Sequence, residues 1–251
     1  MSDELKIAIE AAKAGAHKAL QYFNENIKFE HKKDNTVVSV ADTDTEKAIK
    51  KEIISKYPGA KFIGEETGGD FDQKEFWAID PIDGSRSYSR GIPNWCVLVS
   101  LCRDNEVELG VVYYPHSDTL FYAQKGMGAF ENGKPIHVSQ VSKLKDSYVG
   151  FGSMRHFKNK QVIIDLVEAA ESCRAWEPTF GHCMVASGRV DLCVEEYGKI
   201  WDIAPFKVIV EEAGGKVTRH DGSPWTFKGQ GSLISNGLLH DQALAIINKR
   251  K

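Results

Sequence analysis

The character of the chain changes near residue 145, and no Pro/Gly/Ser-rich linker marks the change. Before it, four β-rich segments at 95–101, 107–114, 119–124 and 127–133 follow one another with turn residues between them. That is the pattern of an antiparallel meander. After it, strand-like segments (148–152, 175–176, 190–194, 216–218) alternate with helix-like ones (near 160–171, near 181–187, 202–213, and a last helix from His240). Two patterns without a break predict two subdomains, about 1–142 and 143–251, within one domain. The fold class expected is α/β (α+β), with helices and sheets in layers. Two helices precede the meander. Leu5, Ile9, Ala12, Ala16, Leu20 and Phe23 recur at three- and four-residue steps. A second helix runs from Asp42 towards Tyr57, where Pro58-Gly59 stops it. Short strands follow at 61–63 and 76–79.

Composition removes several functional classes. The formal net charge is -3 and no Lys/Arg-rich run occurs, so nothing points to nucleic acid. The most apolar stretch, 95–102, is too short to span a bilayer. The amphipathic N-terminus lacks the basic start and long apolar core of a signal peptide. Five cysteines without CxxC spacing, several in apolar runs, read as reduced core residues of a cytoplasmic protein.

Acidic residues recur at predicted element ends. Glu65 and Glu66 follow Phe62-Ile63-Gly64, at the end of a strand. Asp80 and Asp83 lie in Trp77-Ala78-Ile79-Asp80-Pro81-Ile82-Asp83-Gly84-Ser85, read as a turn just past a strand. Asp202 and Asp42 each open a helix. Loop groups converge at such ends without disturbing a core. Mg²⁺ prefers hard oxygen ligands, commonly carboxylates, and a metal pair can clamp both oxygens of an in-line displacement. Pro81 stiffens the turn, so Asp80 and Asp83 can face one point with the Ile82 carbonyl between them. Gly84 lets the backbone approach an anion closely. Taken singly, each motif has an ordinary explanation: a tight turn for Asp80–Asp83, a surface loop for Glu65-Glu66, an N-cap for Asp42 or Asp202. Their joint appearance points to a metal site. No Ser/His/Asp or Cys/His set is arranged for covalent catalysis.

These motifs, with Trp201-Asp202-Ile203-Ala204 and Glu211-Glu212-Ala213-Gly214-Gly215, resemble the inositol monophosphatase family over nearly the whole chain. The resemblance implies an α-β-α-β-α sandwich and a homodimer. It implies a Mg²⁺-dependent phosphoric monoester hydrolase with two or three Mg²⁺ ions, acting on a small phosphate ester by metal-activated water. It implies Glu65, Asp80, the Ile82 carbonyl, Asp83 and Asp202 as metal ligands. Gly84 and Ser85 would hold phosphate, and Asp42 with the Ser85 hydroxyl would orient the water. The family usually has Thr where Ser85 stands. The run from Gly84 to Pro93 is most similar to the histidinol-phosphate phosphatase branch of histidine biosynthesis. Glu195 then reads either as a contact for a substrate ammonium or as an exposed strand-end carboxylate. Glu177-Pro178 departs from that branch, which typically carries Gly-Asp there. His182, on an apolar helix face, reads as a satisfied core or interface residue. The alternatives are an inositol-1-phosphate or other sugar-phosphate phosphatase, and a non-catalytic metal-binding homologue.

Overall fold

The computed structural model describes residues 1–25, 28–31, 37–229 and 231–249. The helices among them are α1 (Asp3–Leu20), α2 (Val40–Lys56), α3 (Ser85–Tyr88), α4 (Gln161–Ala169), α5 (Pro178–Ala186), α6 (Ile200–Glu212) and α7 (His240–Asn248). The strands are β1 (Phe29–His31), β2 (Val37–Ser39), β3 (Phe62–Gly64), β4 (Glu75–Asp83), β5 (Cys96–Arg103), β6 (Glu106–Tyr114) and β7 (Thr119–Gln124). They continue as β8 (Ala129–Glu131), β9 (Lys134–Ile136), β10 (Tyr148–Phe151), β11 (Ser172–Ala175), β12 (Leu192–Glu195), β13 (Lys216–Thr218) and β14 (Ser232–Ser235).

The meander is present, as β5 to β9, and extends on one side to β4 and β3, giving the order β3-β4-β5-β6-β7-β8-β9. Only the β3–β4 pair in this sheet is parallel. A second sheet has the order β11-β10-β12-β14-β13, parallel on the β11, β10, β12 side and antiparallel beyond it. A two-stranded ribbon, β1-β2, stands apart from both sheets.

Five layers follow from which faces are apolar. In β5, Val97, Val99 and Leu101 pack towards α1 and α2, while Cys96, Leu98 and Cys102 pack towards α6. Both faces are covered, so the strand reads as an unbroken apolar run rather than an alternation. α6 is apolar nearly all round, burying Ile203, Phe206, Val208 and Ile209 among others, because it lies between the two sheets. The outer face of the second sheet packs Val149, Leu192, Val194 and Leu233 against α4 and α7. The order is helices, sheet, helices, sheet, helices: the α-β-α-β-α sandwich.

The structure departs from the sequence reading at several places. Asp80 and Asp83 do not lie in a turn past the strand but within β4. The register against β5 shifts between Asp80↔Leu98 and Asp83↔Cys96, so one extra residue bulges there. Pro81 has no N–H to give a neighbouring strand, and a bulge is where a strand tolerates proline. Asp42 and Asp202 do not open their helices. Each lies at the third position and accepts from the backbone N–H preceding its helix, Ser39 N at 2.7 Å and Lys199 N at 2.7 Å. α5 begins earlier than its apolar pattern suggests, because Pro178 is preset for the first turn. The short strand β14 was not anticipated at all.

Candidate active site

One cavity of about 350 Å³ is lined by Glu65, Asp80, Ile82, Asp83, Gly84, Ser85, Glu195 and Asp202. Strand ends and helix starts supply them, since β3 leads into Glu65, β4 ends on Asp83, β12 ends on Glu195 and α6 starts just before Asp202. Carboxylate oxygens of Asp80, Asp83 and Asp202 lie within 4.8 Å of one another. Asp80 is buried and the other two half-buried. Burial is the main cause that pushes all three carboxyls up; Asp80 is raised further by Glu65, Asp83 and Asp202, Asp83 by Asp202, Glu177 and Glu65, and Asp202, pushed up to about 7, by Glu65 against its hydrogen bonds with Lys199 and Asp80. Like charges this close, out of water, need a proton or a cation to neutralise them. Hard oxygen donors in this number fit Mg²⁺.

Two glycines shape the walls. Gly64 packs against the Glu46 carboxylate so closely that a Cβ would overlap it. Glu46 is buried, pairs with Lys50 at 2.7 Å and accepts from Glu66 N at 2.9 Å, so it holds the segment carrying Glu65. Gly84 has φ +84, a left-handed conformation that permits the abrupt change from β4 into α3. Ser85 then begins α3, and its hydroxyl donates to the Ile82 carbonyl at 3.0 Å.

Asp42 does not line the cavity. Its Oδ2 accepts from Ser39 N and, at 2.9 Å, from Ser39 Oγ, while Oδ1 lies buried with no hydrogen-bond partner. Burial is the main cause that pushes it up to about 6, with the Ser39 bonds opposing and Glu65 adding to the rise. Among the described residues no hydrogen bond joins Asp42 to Ser85. Glu195 is 2% exposed, which overturns its reading as an exposed carboxylate. Burial, then the nearby charges of Glu177 and Asp83, push it up to about 8, against a backbone hydrogen bond from Gly152. His182 is buried as expected but not satisfied: it lines the cavity, both ring nitrogens lack a partner, and its ring meets Phe206 edge-on at 4.8 Å. Burial pushes it down to about 3, so it is neutral.

Two site residues had no assigned place in the sequence. Glu177 lines the cavity and accepts from Ser87 Oγ at 2.5 Å, 90 residues away in the chain. Thr179, the second residue of α5, donates to Asp83 Oδ2. Only the departure at Glu177-Pro178 hinted at the first, and no local pattern marks the second.

A model of the inositol monophosphatase family matches residues 1–251. The chain belongs to the inositol monophosphatase family. The family is metal-dependent, and the chain is a phosphoric monoester hydrolase. Its relatives in the family include a histidinol-phosphatase of Chlorobaculum parvum, 32% identical over 98% of this chain and 97% of that one. A fructose-1,6-bisphosphatase/inositol-1-monophosphatase of Aquifex aeolicus is 33% identical over 98% and 97%. Among solved structures, a Thermotoga maritima IMPase superposes with a TM-score of 0.92 at 30% identity, covering 99% of this chain and 98% of the other. Among the described residues, no helix is long and apolar enough to cross a membrane.

Proposed function

We propose that this phosphatase is Mg²⁺-dependent and hydrolyses histidinol phosphate to histidinol and phosphate. The observation that carries the reading is one cavity lined by the cluster of Asp80, Asp83 and Asp202, with Glu65, and also by two further carboxylates, Glu177 and Glu195. A phosphate ester of a cationic alcohol matches both sets of carboxylates, the phosphate through cations held by the cluster and the ammonium through Glu177 and Glu195. The histidinol-phosphatases among the relatives, at 31% to 34% identity, support the same substrate.

Glu65, Asp80, Asp83, Asp202 and the Ile82 carbonyl would hold Mg²⁺. When bound, Mg²⁺ supplies Lewis-acid polarisation of the phosphoryl group and lowers the pKa of water. Backbone N–H groups of Gly84 and Ser85 orient the phosphate. The Ser85 hydroxyl orients the attacking water, and Asp42, pushed up to about 6 and held by Ser39 outside the cavity lining, would draw on its proton only once its carboxylate turns from Ser39 towards Ser85. Glu195 and Glu177 receive the ammonium of the leaving alcohol. An ammonium–carboxylate hydrogen bond in such a site contributes roughly 1–3 kcal/mol. Glu195→Gln should therefore lower kcat/KM for histidinol phosphate roughly ten- to a hundredfold and spare p-nitrophenyl phosphate. Inositol 1-phosphate is the second reading, favoured by the likeness to IMPase structures. Side-by-side turnover with and without Mg²⁺ separates them. Preference for histidinol phosphate, lost without the metal, is expected; equal turnover of inositol 1-phosphate removes the substrate assignment.

A further inference from the structure

We infer that Thr179 is a positioning residue for Asp83, holding one carboxylate oxygen so that the other serves the cation site. This rests on the reading of Asp83 as a metal ligand. Asp83 has carboxylates about it: Asp80 and Asp202 within the cluster, and Glu65 and Glu177 lining the same cavity. Against that repulsion, two groups approach its Oδ2 as donors. One is the Thr179 hydroxyl. The other is the Cys96 thiol at 3.7 Å, a weak donor. Thr179 is 1% exposed, so this bond does not compete with water.

The placement of Thr179 explains why its bond acts on the whole cluster. It follows Pro178 in the first turn of α5, and α5 packs on α6, which carries Asp202. Two residues earlier Glu177 accepts from Ser87 Oγ in α3. Two bonds thus pin the start of α5 to the segment from Asp83 to Ser87, and one helix fixes Asp83 relative to Asp202. Without the hydroxyl, Oδ2 is left to the thiol alone among like charges, and the carboxylate is free to turn. Groups that orient metal ligands in this way change metal affinity roughly ten- to a hundredfold when removed.

The test is a Mg²⁺ titration of Thr179→Val, Thr179→Ser and Asp83→Asn, read both by the rise in melting temperature and by activity. Thr179→Val should need roughly ten- to a hundredfold more Mg²⁺ in both readouts. Its kcat at saturating Mg²⁺ should stay within about threefold of wild type, a split that general damage to the fold does not produce. Thr179→Ser keeps the hydroxyl and should restore the affinity. If the Val variant does not fold, Thr179→Ala against Thr179→Ser reads the same difference. Unchanged Mg²⁺ dependence in the hydroxyl-less variant, with Asp83→Asn losing binding, overturns the role of Thr179 alone. Unchanged dependence in Asp83→Asn removes the ligand reading, and the inference with it.

Discussion

Glu195 provides a stability test that needs no substrate. Its side chain is buried at the end of β12, and Oε1 has no hydrogen-bond partner. The carboxyl titrates at about 8 in the folded protein, chiefly through burial, against an ordinary value of 4.5. A carboxyl with a raised folded pKa binds more protons folded than unfolded, so stability is full below the unfolded value and falls as pH rises towards the folded one. The window therefore runs from about 4.5 to about 8. Inside it each pH unit costs ~1.4 kcal/mol. Between about pH 5.5 and about pH 7.5 the cost is roughly 2–3 kcal/mol, or on the order of 5–10 °C in melting temperature for a chain of this size. Glu195→Gln cannot ionise. Its buried amide carries its own penalty, but that penalty does not change with pH and cancels in the slope. In chelator, the melting temperature of Glu195→Gln minus that of wild type should grow by this amount across the window. The other buried carboxylates are common to both proteins. A difference that stays flat with pH would refute the argument that Glu195 is held protonated by burial.

The remaining expectations follow from the same geometry. An approaching ammonium favours the ionised form of Glu195, so wild-type kcat/KM for histidinol phosphate should climb towards about pH 8, while p-nitrophenyl phosphate and Glu195→Gln show no such limb; identical profiles would contradict the ammonium contact. Ser85→Ala and Asp42→Asn should each lower kcat on the order of a hundredfold while leaving Mg²⁺-dependent melting unchanged, as expected for water-orienting groups; a phosphorylated enzyme trapped in either variant or in wild type would contradict direct attack by water. Gly64→Ala drives a methyl into the Glu46 carboxylate, and such overpacking costs ~1–3 kcal/mol; it should lower both melting temperature and Mg²⁺ affinity, and a wild-type melt would show that the Glu65 segment yields easily.

Local sequence pointed to the acidic cluster of the site. Asp83 ends β4 with Asp80 three residues before it, and Asp202 lies in the first turn of α6, where pleat and helix start are decided by near neighbours, and the cavity gathers all three with Glu65. The meander and most alternating elements were legible for the same reason: periodicity is a short-range property. Tertiary structure decided the rest. The bulge that separates Asp80 from Asp83 exists because β5 pairs on both sides of Pro81. Glu195 could have been wet or dry, and only its enclosure beside Gly152 and Pro178 made it a buried acid. Asp42, by contrast, turned its carboxylate to Ser39 rather than to the cavity. Thr179 meets Asp83 across 96 residues, and Glu177 meets Ser87 across 90. No window of neighbouring residues contains either pair. They meet because α5 is packed beside α6 and against the inner face of the second sheet, and burial of apolar surface across those layers selects that arrangement.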